Sequence, residues 1–101
     1  MDYYELECAV ENWAAKRGIL DKATPMAQAL KTLEECTELC TAINADNRDE
    51  IIDAIGDIMV TLIIQAKMQR ITLEECLESA YNVISKRTGK MVNGQFVKNE
   101  E

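Results

Sequence analysis

The alternation of apolar and polar positions divides the chain into four amphipathic helices and a short tail. Tyr3, Leu6, Val10, Trp13 and Ala14 recur at helical spacing and predict a first helix over about 2–17, ended by Gly18. Ile19 to Lys22 reads as a connector. Thr24 then Pro25, an N-cap residue followed by proline at the first helical position, opens a second helix over about 25–44. Its apolar arc holds Met26, Leu30, Leu33, Cys36, Leu39, Cys40 and Ile43. Ala45 to Asn47 is a turn, and Asn47 with Glu50 three residues on is a cap signature for a third helix over about 48–69. Between Ile58 and Ile64 this helix is apolar nearly all round, which requires burial on more than one side. Three other short helices would leave part of it uncovered, so the pattern predicts a homo-oligomer with the third helix near the interface. Thr72-Leu73-Glu74-Glu75 reads as a capping box for a fourth helix over about 73–87, with Leu73, Cys76, Leu77, Ala80, Tyr81 and Ile84 facing inward. Gly89 breaks it. In the tail, 88–101, Asn93-Gly94 between short apolar pairs predicts a tight hairpin. The expected architecture is all-α, a four-helix, bundle-like, oligomer-forming fold with a hairpin-like tail, in a single domain over 1–101.

The acidic residues complicate this pattern. Glu34, Glu35 and Glu38 lie at and beyond the edge of the second helix's arc, and residues three or four apart share a helix face. Glu50, Asp53 and Asp57 form a stripe on the third helix that runs on into Val60, Thr61 and Ile64. A solvated face would stay polar; this one turns apolar, so part of the stripe is expected to point inward. Glutamate is a good helix former and Glu50 doubles as a cap, but aspartate has no propensity reason to appear twice in mid-helix. Facing carboxylates repel unless a cation separates them, and a hard divalent ion with oxygen ligands is the usual solution. Lys31, one turn before the glutamates, reads as an ion-pair partner of Glu35 or as a phosphate contact. Lys86, Arg87 and Lys90 suit the end of the fourth helix and equally suit the rim of a phosphate pocket, with Asn82 one turn earlier. Trp13 reads first as a core anchor and second as a ligand contact.

Composition narrows the chemistry. At 101 residues and 48% hydrophobic the chain is long enough for one core, and with 5% aromatic residues that core is aliphatic. A formal charge of -7 argues against a nucleic-acid or anionic-membrane surface and means that a nucleotide ligand needs a metal to mediate. There is no histidine, which removes histidine zinc sites, Ser-His and Cys-His nucleophile systems and a histidine base together. Cys8, Cys36, Cys40 and Cys76 form no CxxC and are expected to be buried, reduced thiols of a cytoplasmic protein. The N-terminus lacks an apolar signal core, and Ile58 to Ala66 is too short to span a membrane.

Glu34-Glu35-x-x-Glu38, followed on the next helix by Asp57 in an Ile-Gly-Asp context before an apolar run, resembles the MazG-like, all-α nucleoside triphosphate pyrophosphohydrolases. That family carries EExxE on one helix and ExxD on the next. Here the Glu three residues before Asp57 is Ala54; Asp53 or, in reserve, Glu50 stands in for it. Trp13-Ala14-x-x-Arg17-Gly18, Gln28-x-x-Lys31 and Tyr81-Asn82-x-Ile84-x-Lys86-Arg87 are similar to the flanks of small, phage-type members, so the resemblance covers about 10–97. It implies hydrolysis of a nucleoside triphosphate, deoxynucleotides foremost, to monophosphate and pyrophosphate, with Mg²⁺ (or Mn²⁺) holding the triphosphate and activating the attacking water. It implies metal ligation by Glu34, Glu35, Glu38, Asp53 and Asp57, with Glu35 or Glu38 also orienting or deprotonating the water. Gln28, Lys31, Asn82, Lys86 and Lys90 would contact substrate, with a base pocket between the first and second helices near Trp13, in a homodimer or homotetramer. The competing readings are a non-catalytic metal- or nucleotide-binding helical module, kept open by Ala54, and a related diphosphate or phosphoribosyl-ATP hydrolase.

Overall fold

The computed structural model describes residues 1–100. In chain order it holds α1 (Tyr3–Lys16), α2 (Ile19–Lys22), α3 (Pro25–Asn44), α4 (Arg48–Met68), α5 (Leu73–Ile84), β1 (Gly89–Val92) and β2 (Gln95–Lys98). The four expected helices are present, and the expected connector after Gly18 is itself one helical turn, α2. Side-chain caps set the starts: Asp2 and Glu5 form a reciprocal capping box, Thr24 Oγ1 accepts from Ala27 N at 3.1 Å, and Asn47 Oδ1 accepts from Glu50 N at 3.2 Å. At Thr72 only the forward half of the expected box forms, with Thr72 Oγ1 accepting from Glu75 N.

α3 and α4 each end in a left-handed residue that is not glycine, Asp46 (φ 50°) and Arg70 (φ 62°). In each case the next amide reaches back across the turn, Asn47 N to Ala42 O at 3.1 Å and Ile71 N to Ala66 O at 3.0 Å. The turn at 45–47 therefore reverses the chain at once, and α3 and α4 pack as an antiparallel hairpin. Arginine pays a steric penalty in this conformation, so Arg70→Gly should stabilise the chain by about 0.5–1 kcal/mol, read as a rise of a few degrees in Tm.

α4 is the centre of the fold: α1, α2, α3 and α5 all contact it, while α1 and α5 do not reach α3. Its buried residues Ala54, Thr61, Ile63, Ile64 and Ala66 point in several directions, as the all-round apolar run requires. The face that α3 turns to α4 differs from expectation. It is Gln28, Thr32, Glu35, Leu39 and Ala42 that are buried or half-buried, whereas Met26, Leu30, Leu33 and Ile43 of the apolar arc are exposed. Small and polar side chains let the two helices approach and bond. Gln28 Nε2 donates to Thr61 O at 3.3 Å, Thr32 Oγ1 to Thr61 Oγ1 at 2.9 Å, and Gln65 Nε2 to Pro25 O at 2.8 Å.

The same turn of α3 corrects the cysteine reading. Cys36 and Cys40 are exposed on the unused arc, Cys8 and Cys76 are half-buried, and all four are free. On α1, Ala14 is buried but Tyr3, Leu6 and Trp13 are about half exposed. On α5 only Leu73 and Cys76 are partly covered; Leu77, Ala80, Tyr81 and Ile84 are not. The tail forms the expected antiparallel hairpin, with Asn93 (φ 52°) and Gly94 (φ 80°) both left-handed at its turn. Among the described residues no helix is long and apolar enough to cross a membrane.

Candidate metal centre

The acidic residues meet halfway along the α3–α4 hairpin. Glu35 and Glu38 lie on one face of α3, and the antiparallel register brings Asp57 of α4 opposite them. One carboxylate oxygen from each lies within 4.8 Å of the others. Glu38, Thr41, Glu50, Asp53, Ala54 and Asp57 line a cleft of about 400 Å³ at this point. Glu38 and Asp57 are exposed, whereas Glu35 is only 8% exposed.

Glu35 is the chemically unusual member. Its Oε1 lies 3.6 Å from Lys31 Nζ, but its Oε2 is buried without a hydrogen-bond partner among the described residues. The adjacent Glu38 carboxyl, which a shared proton would bridge, and then burial push the Glu35 carboxyl above its ordinary value, against the opposing pull of Lys31. A cation at the triad would give that orphaned oxygen a partner and remove the repulsion together, so the donor set fits a hard divalent ion.

The expected ligands divide accordingly. Glu35, Glu38 and Asp57 converge. Asp53 and Glu50 stand on the cleft wall outside the triad, beside Ala54, whose methyl group faces the same space. Glu34 turns outward and binds Lys31 Nζ at 3.3 Å. Thr41, one turn beyond Glu38, also lines the cleft; its i+3 spacing from Glu38 is the signal that would have found it.

The expected substrate contacts are dispersed within one chain. Lys31 is beside the triad, held protonated by Glu34 first and Glu35 second. Gln28 is buried in the hairpin seam, committed to Thr61. Trp13 is 47% exposed, with the Arg17 guanidinium carbon 6.0 Å from its ring centre. Because α1 does not touch α3, the expected base pocket between those two helices is not formed within the chain. Asn82 lies with Glu78 and Ser79 on the open side of α5. Lys86 borders a separate cleft with Arg87, Thr88, Lys98 and Asn99, and Lys90 sits on β1 opposite Val97.

A helical hairpin whose two helices converge carboxylates on one point, one of them buried and lacking a donor, defines an all-α protein with a donor set that could hold a metal ion. The chain belongs to the family of the MazG nucleotide pyrophosphohydrolase domain, whose model matches residues 23–92. That span takes in α3, α4, α5 and β1, and with them the whole acidic cleft. Over 70 residues, 69% of this chain, it is 37% identical to an uncharacterized 18.2 kDa protein in the rep-hol intergenic region of Haemophilus phage HP1 (strain HP1c1). The chain spans 43% of that phage protein's length. No solved structure matches the chain.

Proposed function

We propose that this chain hydrolyses nucleoside triphosphates, deoxynucleotides among them, to monophosphate and pyrophosphate, with Mg²⁺ or Mn²⁺ held by Glu35, Glu38 and Asp57. The observation that carries this reading is the convergence of Glu35, buried and with one carboxylate oxygen lacking a hydrogen-bond partner among the described residues, with the carboxylates of Glu38 and Asp57. When bound, the ion supplies charge neutralisation for the polyphosphate and a lowered pKa for the attacking water. Glu38, on the open side of the triad, orients that water and takes its proton; Glu35 is the second base. Asp53 and Glu50 extend the carboxylate wall where Ala54 leaves room. Lys31 steadies a phosphate beside the triad. Asn82, Lys86 and Lys90 contact phosphates or sugar, and Trp13 the base. The absence of histidine and of a placed nucleophile agrees with direct attack by water. The chain works as a cytoplasmic homo-oligomer, a dimer or tetramer.

Ala54 favours one second reading, a metal- or nucleotide-binding module without turnover. Incubation with a panel of dNTPs and NTPs, with Mg²⁺ and with EDTA, separates the two. Metal-dependent release of pyrophosphate and monophosphate is expected. Absence of turnover on every triphosphate, with metal still raising Tm, would establish the binding module. Turnover confined to diphosphates or phosphoribosyl-ATP would move the assignment to a related hydrolase.

A further inference from the structure

The seam between α3 and α4 is polar one turn away from the carboxylates. Thr61 is buried in mid-α4, and three hydrogen bonds meet on it. Thr32 Oγ1 of α3 donates to Thr61 Oγ1 at 2.9 Å, and Thr61 Oγ1 donates on to Ile58 O at 2.7 Å. Gln28 Nε2 of α3 donates to Thr61 O at 3.3 Å. On α4 this chain of bonds therefore ends on the carbonyl of the residue next to Asp57. Thr32 precedes Glu35 by three residues and Thr61 follows Asp57 by four, so in antiparallel helices both steps lead from the hydroxyl pair toward the triad. Such spacings share a helix face, and at a rise of about 1.5 Å per residue the pair lies about 5 Å along the hairpin from the carboxylates. Between the pair and the turn at 45–47, no side-chain hydrogen bond crosses the seam among the described residues.

Without a cation, the carboxylates of Glu35, Glu38 and Asp57, with oxygens within 4.8 Å of one another, push α3 and α4 apart. Ala42 and Ala54, buried on the turn side, allow close approach but fix nothing, because apolar contact is non-directional and tolerates sliding and rotation. An O–H···O bond holds only over about 2.5–3.0 Å and near a straight line. We infer that Thr32 and Thr61 are positioning residues of the metal centre. Their bond holds the two helices at the separation and rotation at which the three carboxylates converge before an ion arrives. Neither hydroxyl touches the ion; each acts through the ligand one turn along its own helix. A site held this close favours a small hard cation over a larger one. Oxygen distances run about 2.0–2.1 Å for Mg²⁺ and about 2.3–2.6 Å for Ca²⁺. The inference rests on the metal-holding part of the proposed function and is independent of turnover.

Removing either hydroxyl strands no buried group. In Thr32→Val, Thr61 still donates to Ile58 O; in Thr61→Val, Thr32 Oγ1 has the Gln28 carbonyl at 3.3 Å. Valine keeps the shape, and replacing both partners by apolar groups of the same shape is close to neutral for stability. In EDTA, the two single variants and the double variant should therefore melt near the parent. Mn²⁺ affinity is read by electron paramagnetic resonance of the free ion, with no substrate present. Its Kd should rise about tenfold in each single variant, the low end of what loss of support for metal ligands costs. The double variant should be no weaker, because the two hydroxyls make one bond. Thr32→Ser, which keeps the donor, should bind like the parent. Ca²⁺ should displace Mn²⁺ from the valine variants at lower excess than from the parent. Valine variants with parental Kd and parental Ca²⁺ competition overturn the inference, as does a Thr32→Ser chain as weak as Thr32→Val. A loss of affinity matched by a fall of Tm in EDTA also overturns it, since the hydroxyls would then serve the fold alone. A parent that binds Mn²⁺ but cleaves no triphosphate removes the proposed turnover and leaves the positioning role to be decided by the same constants. A parent that binds no Mn²⁺ overturns the metal centre and, with it, this role.

Discussion

Replacing Glu38 by glutamine is expected to lower Mg²⁺-dependent turnover by at least ~100-fold, since even altering groups that merely support metal ligands changes affinity or activity by 10–100-fold. Glu38 is one of three carboxylates whose oxygens lie within 4.8 Å of one another. Glutamine keeps the shape and the helix propensity but removes the charge, leaving Glu35 and Asp57 to hold the ion. Glu38 is exposed, so the fold should not suffer. The second readout is stability. A ligand at a hundred times its Kd stabilises a folded chain by about 2.7 kcal/mol. For a domain of this size that corresponds to a rise in Tm on the order of 10 °C. The parent should show such a rise with Mn²⁺ or Mg²⁺, and Glu38→Gln should lose most of it. Asp57→Asn should behave alike. A Glu38→Gln chain that keeps more than a tenth of parental turnover, or the full metal-induced rise, would remove Glu38 from the site.

Glu35→Gln should separate stability from function in the opposite sense. The folded chain holds the Glu35 carboxyl above the 4.5 of an ordinary glutamate, through Glu38 first and burial second. An acid whose folded value is raised favours the folded state most when protonated. Its contribution is therefore complete below about pH 4.5 and is lost as pH climbs through the raised folded value. Metal-free parent should lose Tm over that interval relative to Glu35→Gln, whose neutral amide does not titrate. In EDTA at pH 7 the variant should melt higher than the parent; with metal the order should reverse, and turnover should be abolished. The measurement is Tm against pH from 4 to 8 for both chains, with EDTA and with Mg²⁺. Parallel curves in EDTA would show that the buried carboxylate carries no penalty, and so no reserve of binding energy for a cation.

The elements that caps and breakers define were legible in the chain. Thr24-Pro25, Asn47 and Thr72 start helices where expected, and Asn93-Gly94 turns the hairpin. These signals act over a few residues, and the chemistry that sets them is local. The acidic cluster was legible in part for the same reason, since helical spacing alone puts Glu35 beside Glu38. Which of the other carboxylates joins them was not. Glu34, in the same motif, faces away and holds Lys31, while Asp57 enters from the next helix. The burial of α3 was misread because hydrophobicity favours the arc from Met26 to Ile43. Close helix approach instead favours Gln28 and Thr32, which bond across the seam, and the small Ala42, and the rotation that seats them also covers Glu35 and Leu39.

The residue order by itself determined an all-α chain with a terminal hairpin, a cluster of acids on two consecutive helices, chemistry without histidine, and a resemblance to a family that the later comparison bears out. Those conclusions need only short-range geometry and the inventory of side chains. The tertiary structure decided which carboxylates converge, that Glu35 is the buried one, and that the apolar faces of α3 and α5 remain uncovered in one chain. Those depend on how two helices are rotated about their axes when they meet. The rotation is set by packing and hydrogen bonds across the seam, long-range terms that a periodic pattern read along one helix does not contain.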